Sequence, residues 1–229
     1  MNNIQHIFFD LDHTLWDFET NSREALNELY VHYDLLSKLA VEPKIFTQRY
    51  ELHNAHYWKL YRENRISKPR LRVARFEAVL RDFRYEDKLL AKELARTYLQ
   101  ICPVKTQLFD GAKEVLQQLQ SKYEIHIITN GFEEVQWLKI RSSGIDHFFR
   151  HVITSEMAKA KKPNPRIFQL AMKLSGANLE NSLMIGDNRE VDIKGAEDFG
   201  WRAIHFDPLE QSEHGMSVKS LRELPNILL

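Results

Sequence analysis

The eight glycines of the chain all lie at or after Gly111, and residues 1–110 contain none. Glycine permits the tight turns and close backbone approaches that α/β folds need between strands and helices. A long segment without glycine is typical of extended helices joined by few sharp turns. The distribution therefore predicts two regions of different architecture: a helical region within the first 110 residues and an α/β region after it.

The predicted helical region runs from Asn21 to Gln100, where apolar residues recur at spacings of three and four. Pro43 and Pro69 fall near the starts of two helical segments, where proline is tolerated because the first amide groups lack helical partners. The predicted helices cover residues 21–33, 42–63, 69–83 and 86–100.

Short apolar runs alternate with amphipathic segments after Val104, which is typical of a parallel sheet covered on both faces. The apolar run at the N-terminus, residues 6–9, needs strand partners, and the only evident sheet is the later one. We therefore predict an α/β, Rossmann-like parallel-sheet core of residues 1–16 and 104–229, with a helical domain of residues 17–103 inserted in it. The predicted strands are 6–9, 124–129, 151–155, 182–186 and 202–206, and the predicted helices of this core are 111–122, 133–144, 165–176, 190–200 and 218–229.

The composition narrows the possible partners and compartment. Lys plus Arg equals Asp plus Glu at 32 each, so no net charge points to a nucleic-acid polymer or a membrane surface. Cys102 is the single cysteine, so no internal disulfide can form, and it is expected to be a buried small hydrophobe. The first residues lack a signal-peptide pattern, and no apolar window is long enough to span a membrane. We expect a cytoplasmic monomer or homodimer.

Polar residues follow four of the predicted strands, and ligands of open parallel sheets bind at the carboxyl ends of strands. Two aspartates, two residues apart, follow the first strand and would repel each other without a cation or a proton between them. The residues that follow the four strands are Asp10, Asp12 and Thr14; Thr129, Asn130 and Gly131; Lys161, Lys162 and Pro163; and Asp187, Asn188 and Asp192.

These residue types suit phosphoryl transfer. Converging carboxylates suit Mg²⁺, a hard cation that prefers oxygen ligands. One carboxylate can attack phosphorus, a second acid can exchange protons, and a hydroxyl and an ammonium can neutralise phosphoryl oxygens. Each stretch alone has an ordinary structural explanation, as a polar turn, a solvated lysine or acids at a helix N-terminus. Their joint occurrence on strand ends favours the functional interpretation.

The stretches "DLDHTL", "IITNG", Lys162-Pro163 and "GDNREVD" resemble the four motifs of the haloacid dehalogenase superfamily of phosphohydrolases. The resemblance implies that Asp10 is the nucleophile and Asp12 the general acid/base. By the same resemblance, the phosphoryl group is bound by Thr129, Asn130 and Lys162. Mg²⁺ is held by Asp10, the backbone carbonyl of Asp12 and Asp187. The metal site is supported by Asp192 and Asn188.

The helical insertion resembles the cap of one superfamily branch, which closes over the site and selects the substrate. The stretches "IITNGF", "SKPRLRVARF" and "SVKSLREL" are similar to bacterial pyrimidine 5′-nucleotidases, which implies a nucleoside monophosphate as substrate. Candidates for the substrate rim are Trp16, Phe18, Trp58 and Arg75. Aromatic residues at helical spacing can equally form the interior of the cap.

Several alternatives stay open on the sequence. The substrate can also be a small sugar phosphate or phosphoglycolate. Other activities share parts of the motif pattern: a phosphomutase, a dehalogenase or a non-enzymatic phospho-acceptor domain. Asp12 argues against a dehalogenase, since these resemble the chain but lack an acid there. His13 stands where many members of the superfamily have glycine, and we interpret it as a turn residue beside the site.

Overall fold

The computed structural model describes residues 3–209 and 215–229 of the chain. The chain forms two compact units, one of residues 1–18 and 106–229 and one of residues 19–105. The sequence placed the two junctions two residues earlier, after residues 16 and 103. None of the helices in the described part of the chain has the length and apolarity that crossing a membrane requires.

In the described part of the chain, the first unit consists of six strands and the helices that connect them. Its strands are β1 (His6–Phe9), β2 (Glu124–Thr129), β3 (His151–Thr154), β4 (Ser182–Gly186), β5 (Arg202–Phe206) and β6 (Ser217–Val218). Its helices are α6 (Ala112–Leu119), α7 (Glu133–Ser142), α8 (Ser155–Ala158), α9 (Pro165–Ser175), α10 (Lys194–Phe199) and α11 (Leu224–Leu228).

The strands form one parallel sheet in the order β3-β2-β1-β4-β5-β6. β1 lies inside the sheet, and its Phe9 pairs with Ile127 of β2 on one side and Ile185 of β4 on the other. All four β1 residues are buried, which explains why this strand is a continuous apolar run. The predicted α/β class and parallel sheet are confirmed.

A hydrophobic cluster on one sheet face fixes the helices that follow β3 and β4. Phe8 stacks on Trp201, with ring centroids 4.4 Å apart, and Trp201 meets Phe168 of α9 edge-on. Burial of aromatic side chains of this size contributes several kcal/mol, at about 25 cal/mol per Å² of apolar surface. This packing holds the loops at the carboxyl ends of the strands in place.

A short antiparallel ribbon closes the sheet unit where the insertion leaves and returns. Trp16 pairs with Leu108 as an antiparallel bridge. The Asp17 amide donates to the Gln107 carbonyl at 3.1 Å, and the Phe109 amide donates to the Leu15 carbonyl at 3.0 Å. The two junction segments are therefore hydrogen-bonded to each other.

The second unit is helical, with α3 (Pro43–Arg62), α4 (Lys68–Asp82) and α5 (Lys88–Ile101) packed in succession. Its interior contains the rings of Tyr50, Phe76 and Tyr98, and the buried Arg75 guanidinium lies over all three at 4.9–5.7 Å. The helices that make up this unit are α1, which begins at the junction (Phe18–His32), α2 (Leu35–Leu39), α3 (Pro43–Arg62), α4 (Lys68–Asp82) and α5 (Lys88–Ile101).

The structure adds two short helices that were not predicted, α2 and α8, of which α8 takes the last residue of the predicted strand 151–155. It differs further at the C-terminus and around Asp192. Residues 218–229 were expected to form one amphipathic helix, but they contain the end of strand β6, a 3₁₀ turn capped by Ser220 and only the short α11. Within the predicted helix 190–200, a π-helical turn at Arg189–Ile193 precedes α10. Such π turns are frequent at functional sites, and this one carries Asp192.

Candidate active site

The predicted site residues meet at the carboxyl edge of β1, β2 and β4. These three strands are neighbours in register, so the residues that follow them leave the sheet side by side. Asp10 continues the register by donating its amide to the Ile185 carbonyl at 2.9 Å. Asp10 is thus fixed by the sheet itself, and Asp187 follows the end of β4.

Lys162 is the central cation of the site and is almost completely buried. Its ammonium lies 2.6 Å from Asp10 Oδ1 and 2.7 Å from Asp192 Oδ1, and it donates to the Ile128 carbonyl at 2.6 Å. One lysine therefore joins the strand-end aspartate to the aspartate of the π turn. A buried charge of this kind requires such partners, because desolvation alone is costly.

The electrostatics of the site reflect three carboxylates around one ammonium. Burial raises the pKa of Asp10 well above its usual range; Lys162 opposes the rise, whereas Asp192 and Asp187 add to it. Burial likewise raises the pKa of Asp187 to about 6, and Asp192 contributes again. Burial works against the charge on Lys162, but Asp10 and Asp192 more than offset it and raise its pKa. The negative charges exceed what Lys162 neutralises.

Thr14 and His205 hold Asp187 in position. The Thr14 hydroxyl donates to Asp187 Oδ1 and accepts from the Asp187 amide, both at 3.1 Å. His205 on β5 contacts the Asp187 carbonyl through Nε2 at 2.7 Å. Both carboxylate and backbone of Asp187 are therefore oriented by side chains of other segments.

Asp192 reaches the site because Gly186 leaves room for it. A Cβ at Gly186 would lie 2.5 Å from Asp192 Oδ2, so only glycine fits at the end of β4. Asp192 Oδ2 accepts the Asn188 amide at 3.1 Å, and Asn188 in turn caps the π turn by accepting the Val191 amide at 3.0 Å. Asn188, which was expected to support the metal site, contacts Asp192 and Val191 within the π turn in this structure.

Thr129 and Asn130 lie next to Lys162. The Thr129 hydroxyl is buried and accepts the Gly131 amide at 3.0 Å. The Asn130 side chain accepts the Lys162 amide at 2.7 Å and donates to the Lys162 carbonyl at 3.0 Å. Asn130, predicted to bind phosphate, has its amide group engaged by the backbone of Lys162, so it positions that lysine.

Asp12 points toward α7 and makes contacts that the sequence analysis did not identify. Lys139 donates to Asp12 Oδ1 at 2.5 Å, and Gln136 donates to Oδ2 at 3.0 Å. Lys139 is buried, with its ammonium 4.2 Å from the centroid of the Trp16 ring. The spacing of three residues places Gln136 and Lys139 on one helix face, which is the signal that could have revealed them.

Gly131 makes the contact between α7 and Asp12 possible. A Cβ at this position would lie 1.8 Å from Gln136 Nε2 and 2.4 Å from its side-chain carbonyl carbon. Any other residue would force Gln136 to move away from Asp12. The glycine that follows β2 therefore serves close packing beside the site.

The proposed rim residues occupy different environments. Trp16 is fully buried beneath Lys139, which does not match an exposed rim position, whereas Phe18 is partly exposed. Trp58 is partly buried in the helical unit and meets Tyr61 edge-on. Arg75 is buried in the interior of that unit and donates to Asn54 at 2.7 Å. Packing thus accounts for Trp16 and Arg75 without a ligand.

His13 adopts a left-handed backbone conformation with φ of 65°. This region favours glycine, so the residue type found in many superfamily members is the one this turn suits best. The His13 ring packs against Phe18, with centroids 4.9 Å apart. His13 is therefore a turn residue beside the site, as interpreted from the sequence.

The carboxylates fit a hard divalent cation. Oxygen atoms of Asp10, Asp187 and Asp192 all lie within 4.8 Å of one another. Asp192 Oδ1 is buried and receives no well-aligned hydrogen bond, although it lies close to the Lys162 ammonium. An all-oxygen set with excess negative charge is the chemistry that Mg²⁺ prefers.

Comparison with known proteins identifies the family of the chain. Residues 4–200 match the haloacid dehalogenase-like hydrolases. The pyrimidine 5′-nucleotidase YjjG of Escherichia coli is 31% identical over 97% of this chain and 96% of its own, and a glyceraldehyde 3-phosphate phosphatase of Pyrococcus abyssi is 32% identical over 89% and 81%.

The structure of the HAD-hydrolase YfnB from Bacillus subtilis, bound to magnesium, is similar with a TM-score of 0.89. It covers 99% of both chains at 26% identity. The extent of these matches, together with the four strand-end motifs, shows that the chain belongs to the haloacid dehalogenase-like hydrolases.

Proposed function

We propose that the chain is a Mg²⁺-dependent phosphomonoesterase that acts through an aspartyl-phosphate on Asp10 and prefers pyrimidine nucleoside 5′-monophosphates. The observation that carries the proposal is the joint placement of Asp10, Asp187 and Asp192 around the buried ammonium of Lys162. Phosphoryl transfer to a carboxylate requires a carboxylate that can attack phosphorus and a fixed positive charge beside it.

Asp10 is placed to act as the nucleophile. Lys162 occupies its Oδ1, and among the described residues none donates a hydrogen bond to its Oδ2. Oδ2 attacks phosphorus, the bond between phosphorus and the leaving oxygen breaks, and its electron pair stays on that oxygen. Lys162 and the Thr129 hydroxyl stabilise the charge on the phosphoryl oxygens.

Asp12 exchanges the protons of both steps. It gives a proton to the leaving oxygen of the nucleoside and later takes one from the water that attacks the aspartyl-phosphate. This second attack breaks the bond between phosphorus and Asp10 and releases inorganic phosphate. Lys139 and Gln136 hold the Asp12 carboxylate in one orientation, which is the contribution that positioning makes to catalysis.

Asp10, Asp187 and the backbone carbonyl of Asp12 would hold Mg²⁺, with Asp192 supporting it. The cation supplies positive charge that neutralises the carboxylates and the phosphoryl oxygens. The expected consequence is a gain in thermal stability on adding Mg²⁺, which should be reduced in Asp187→Asn.

Relatives support the choice of substrate. YjjG is named a pyrimidine 5′-nucleotidase, and the match covers nearly all of both chains. A second candidate is a small sugar phosphate, since the similarity to a glyceraldehyde 3-phosphate phosphatase is of the same degree. Similar dehalogenase structures share 16–23% identity and indicate the fold alone.

The test is phosphate release with Mg²⁺ from UMP, dUMP, dTMP, AMP, phosphoglycolate, hexose phosphates and glyceraldehyde 3-phosphate, with Asp10→Asn as the inactive control. We expect pyrimidine monophosphates to lead by at least tenfold in kcat/KM, a difference of about 1.4 kcal/mol. A higher kcat/KM for sugar phosphates would change the substrate assignment but leave the proposed mechanism intact. Equal release by wild type and Asp10→Asn, or activity without any divalent metal, would refute the mechanism.

A further inference from the structure

A row of histidines crosses one face of the sheet, away from the carboxylate site. His126 on β2 pairs in register with Phe8 of β1 and with His151 of β3, and its ring stacks on His151 at 5.4 Å and on His6 at 5.5 Å between centroids. His6 opens β1, and Asp10 follows four residues later, so about 13 Å of extended strand separates His6 from Asp10.

The environment of His126 is unusual for an imidazole. The residue has no exposed surface and its ring lies 4.7 Å from that of Phe8. Its Nδ1 has no hydrogen-bond partner among residues 3–209 and 215–229. Burying an unsatisfied polar group costs free energy that an apolar side chain would not cost. The other ring nitrogen, Nε2, is hydrogen-bonded to His6 Nδ1, so it is the nitrogen that belongs to the cluster.

The distances between His6, His126 and Glu124 match a metal site. His6 Nδ1 and His126 Nε2 lie 3.2 Å apart. Two nitrogen ligands of a tetrahedral zinc ion, each about 2.05 Å from the metal, lie about 3.3 Å apart. Glu124 Oε2 lies 3.9 Å from His6 Nδ1, and its side chain is 54% exposed, so it can rotate toward a bound ion and leave an entry path from solvent.

We propose that His6, Glu124 and His126 form a binding site for a transition-metal dication such as Zn²⁺, separate from the carboxylate site. Two imidazoles and one carboxylate are a ligand set that zinc commonly uses, and water completes the tetrahedron. Nitrogen ligands suit Zn²⁺ and not Mg²⁺, so the two sites differ in the metal they select. A metal here would join the first two strands of the chain, β1 and β2.

The experiment is a calorimetric titration of the full chain with Zn²⁺ in excess Mg²⁺, which occupies the carboxylate site. We expect one equivalent of Zn²⁺ to bind wild type and Asp187→Asn alike, so that failure of the Mg²⁺ mechanism and failure of this proposal are distinguishable. Glu124→Gln, which changes a half-exposed side chain, should weaken binding at least tenfold. His151→Gln is the matched control, since His151 stacks on the same ring but lies outside the ligand set, and it should bind as wild type does.

A structural readout accompanies the titration. Zn²⁺ should shift the ring ¹⁵N resonances of His6 and His126 and leave those of the exposed His147 unchanged. His126→Leu should abolish binding, and His6→Asn serves in its place if that variant does not fold. No Zn²⁺ binding in excess Mg²⁺, or equal affinity in wild type and Glu124→Gln, would overturn the proposal.

Discussion

His126 should make the sheet unit sensitive to acid. Its pKa in the folded chain is lowered to about 3, by burial first and then by His6, His151 and Arg150, whereas that of an unfolded chain is 6.5. A group whose pKa is depressed in the folded state binds more protons when unfolded. The stability that it contributes as a neutral ring is therefore complete above pH 6.5 and is lost as the pH falls from 6.5 toward 3.

The size of the effect follows from the two pKa values. At pH 5 His126 is mostly protonated in the unfolded chain and neutral in the folded chain. The free energy of unfolding is therefore about 2 kcal/mol lower at pH 5 than at pH 8. The mean slope of the free energy of unfolding between pH 6 and pH 4 is about 1.3 kcal/mol per pH unit, close to the value for one full proton.

The assay is urea unfolding at pH 8 and pH 5 in EDTA, for wild type and His126→Leu. Pulse-labelling hydrogen exchange of peptides from β2 identifies the transition of the sheet unit. The change in the free energy of unfolding between pH 8 and pH 5 is compared for the two proteins, which removes the contribution of other titrating groups. Wild type should lose about 2 kcal/mol more than His126→Leu. His147→Gln, at an exposed position, should behave as wild type. An equal loss of stability in wild type and His126→Leu would refute the reasoning.

Three further substitutions test contacts around the site. Lys139→Met keeps the side-chain stem over the Trp16 ring but removes the ammonium bound to Asp12, the proposed general acid. We expect kcat to fall about ten- to hundredfold with KM nearly unchanged, whereas Lys194→Met at an exposed ion pair should have no effect. Gly131→Ala places a Cβ 1.8 Å from Gln136 Nε2 and should lower kcat similarly; a normal rate would show that this glutamine does not orient the acid. His13→Gly relieves a φ of 65° and should raise the stability by up to about 1 kcal/mol in thermal melts while retaining turnover; loss of turnover would assign the ring a catalytic role.

The strands inside the sheet could be predicted with their exact bounds. β1, β2, β4 and β5 have the residues expected from the sequence, because each is a short apolar run that ends at a polar residue or glycine. The same logic found Asp10, Lys162 and Asp187, since strand ends of one parallel sheet converge at one edge.

Other features depend on packing that the sequence pattern does not contain. Strand β6 has only two residues and gains its hydrogen bonds from β5, so no local periodicity marks it. Lys139 and Gln136 belong to the site because α7 places one face over Asp12. The histidine row depends on the register between β1, β2 and β3, which pairs Phe8 with His126, 118 positions later, and His126 with His151, 25 positions later.

The ribbon between Leu15–Asp17 and Gln107–Phe109 has a consequence for how this chain can evolve. Its hydrogen bonds hold together the two points where residues 19–105 leave and re-enter the sheet unit. Doubling the length of a segment between fixed ends costs only about 0.6 kcal/mol in closure entropy. Inserts of other lengths and folds can therefore replace this one without disturbing the strands that carry Asp10 and Asp187. New specificities can arise by exchange of a whole module, and chimeras that join these strands to a relative's insert at residues 18 and 106 should fold.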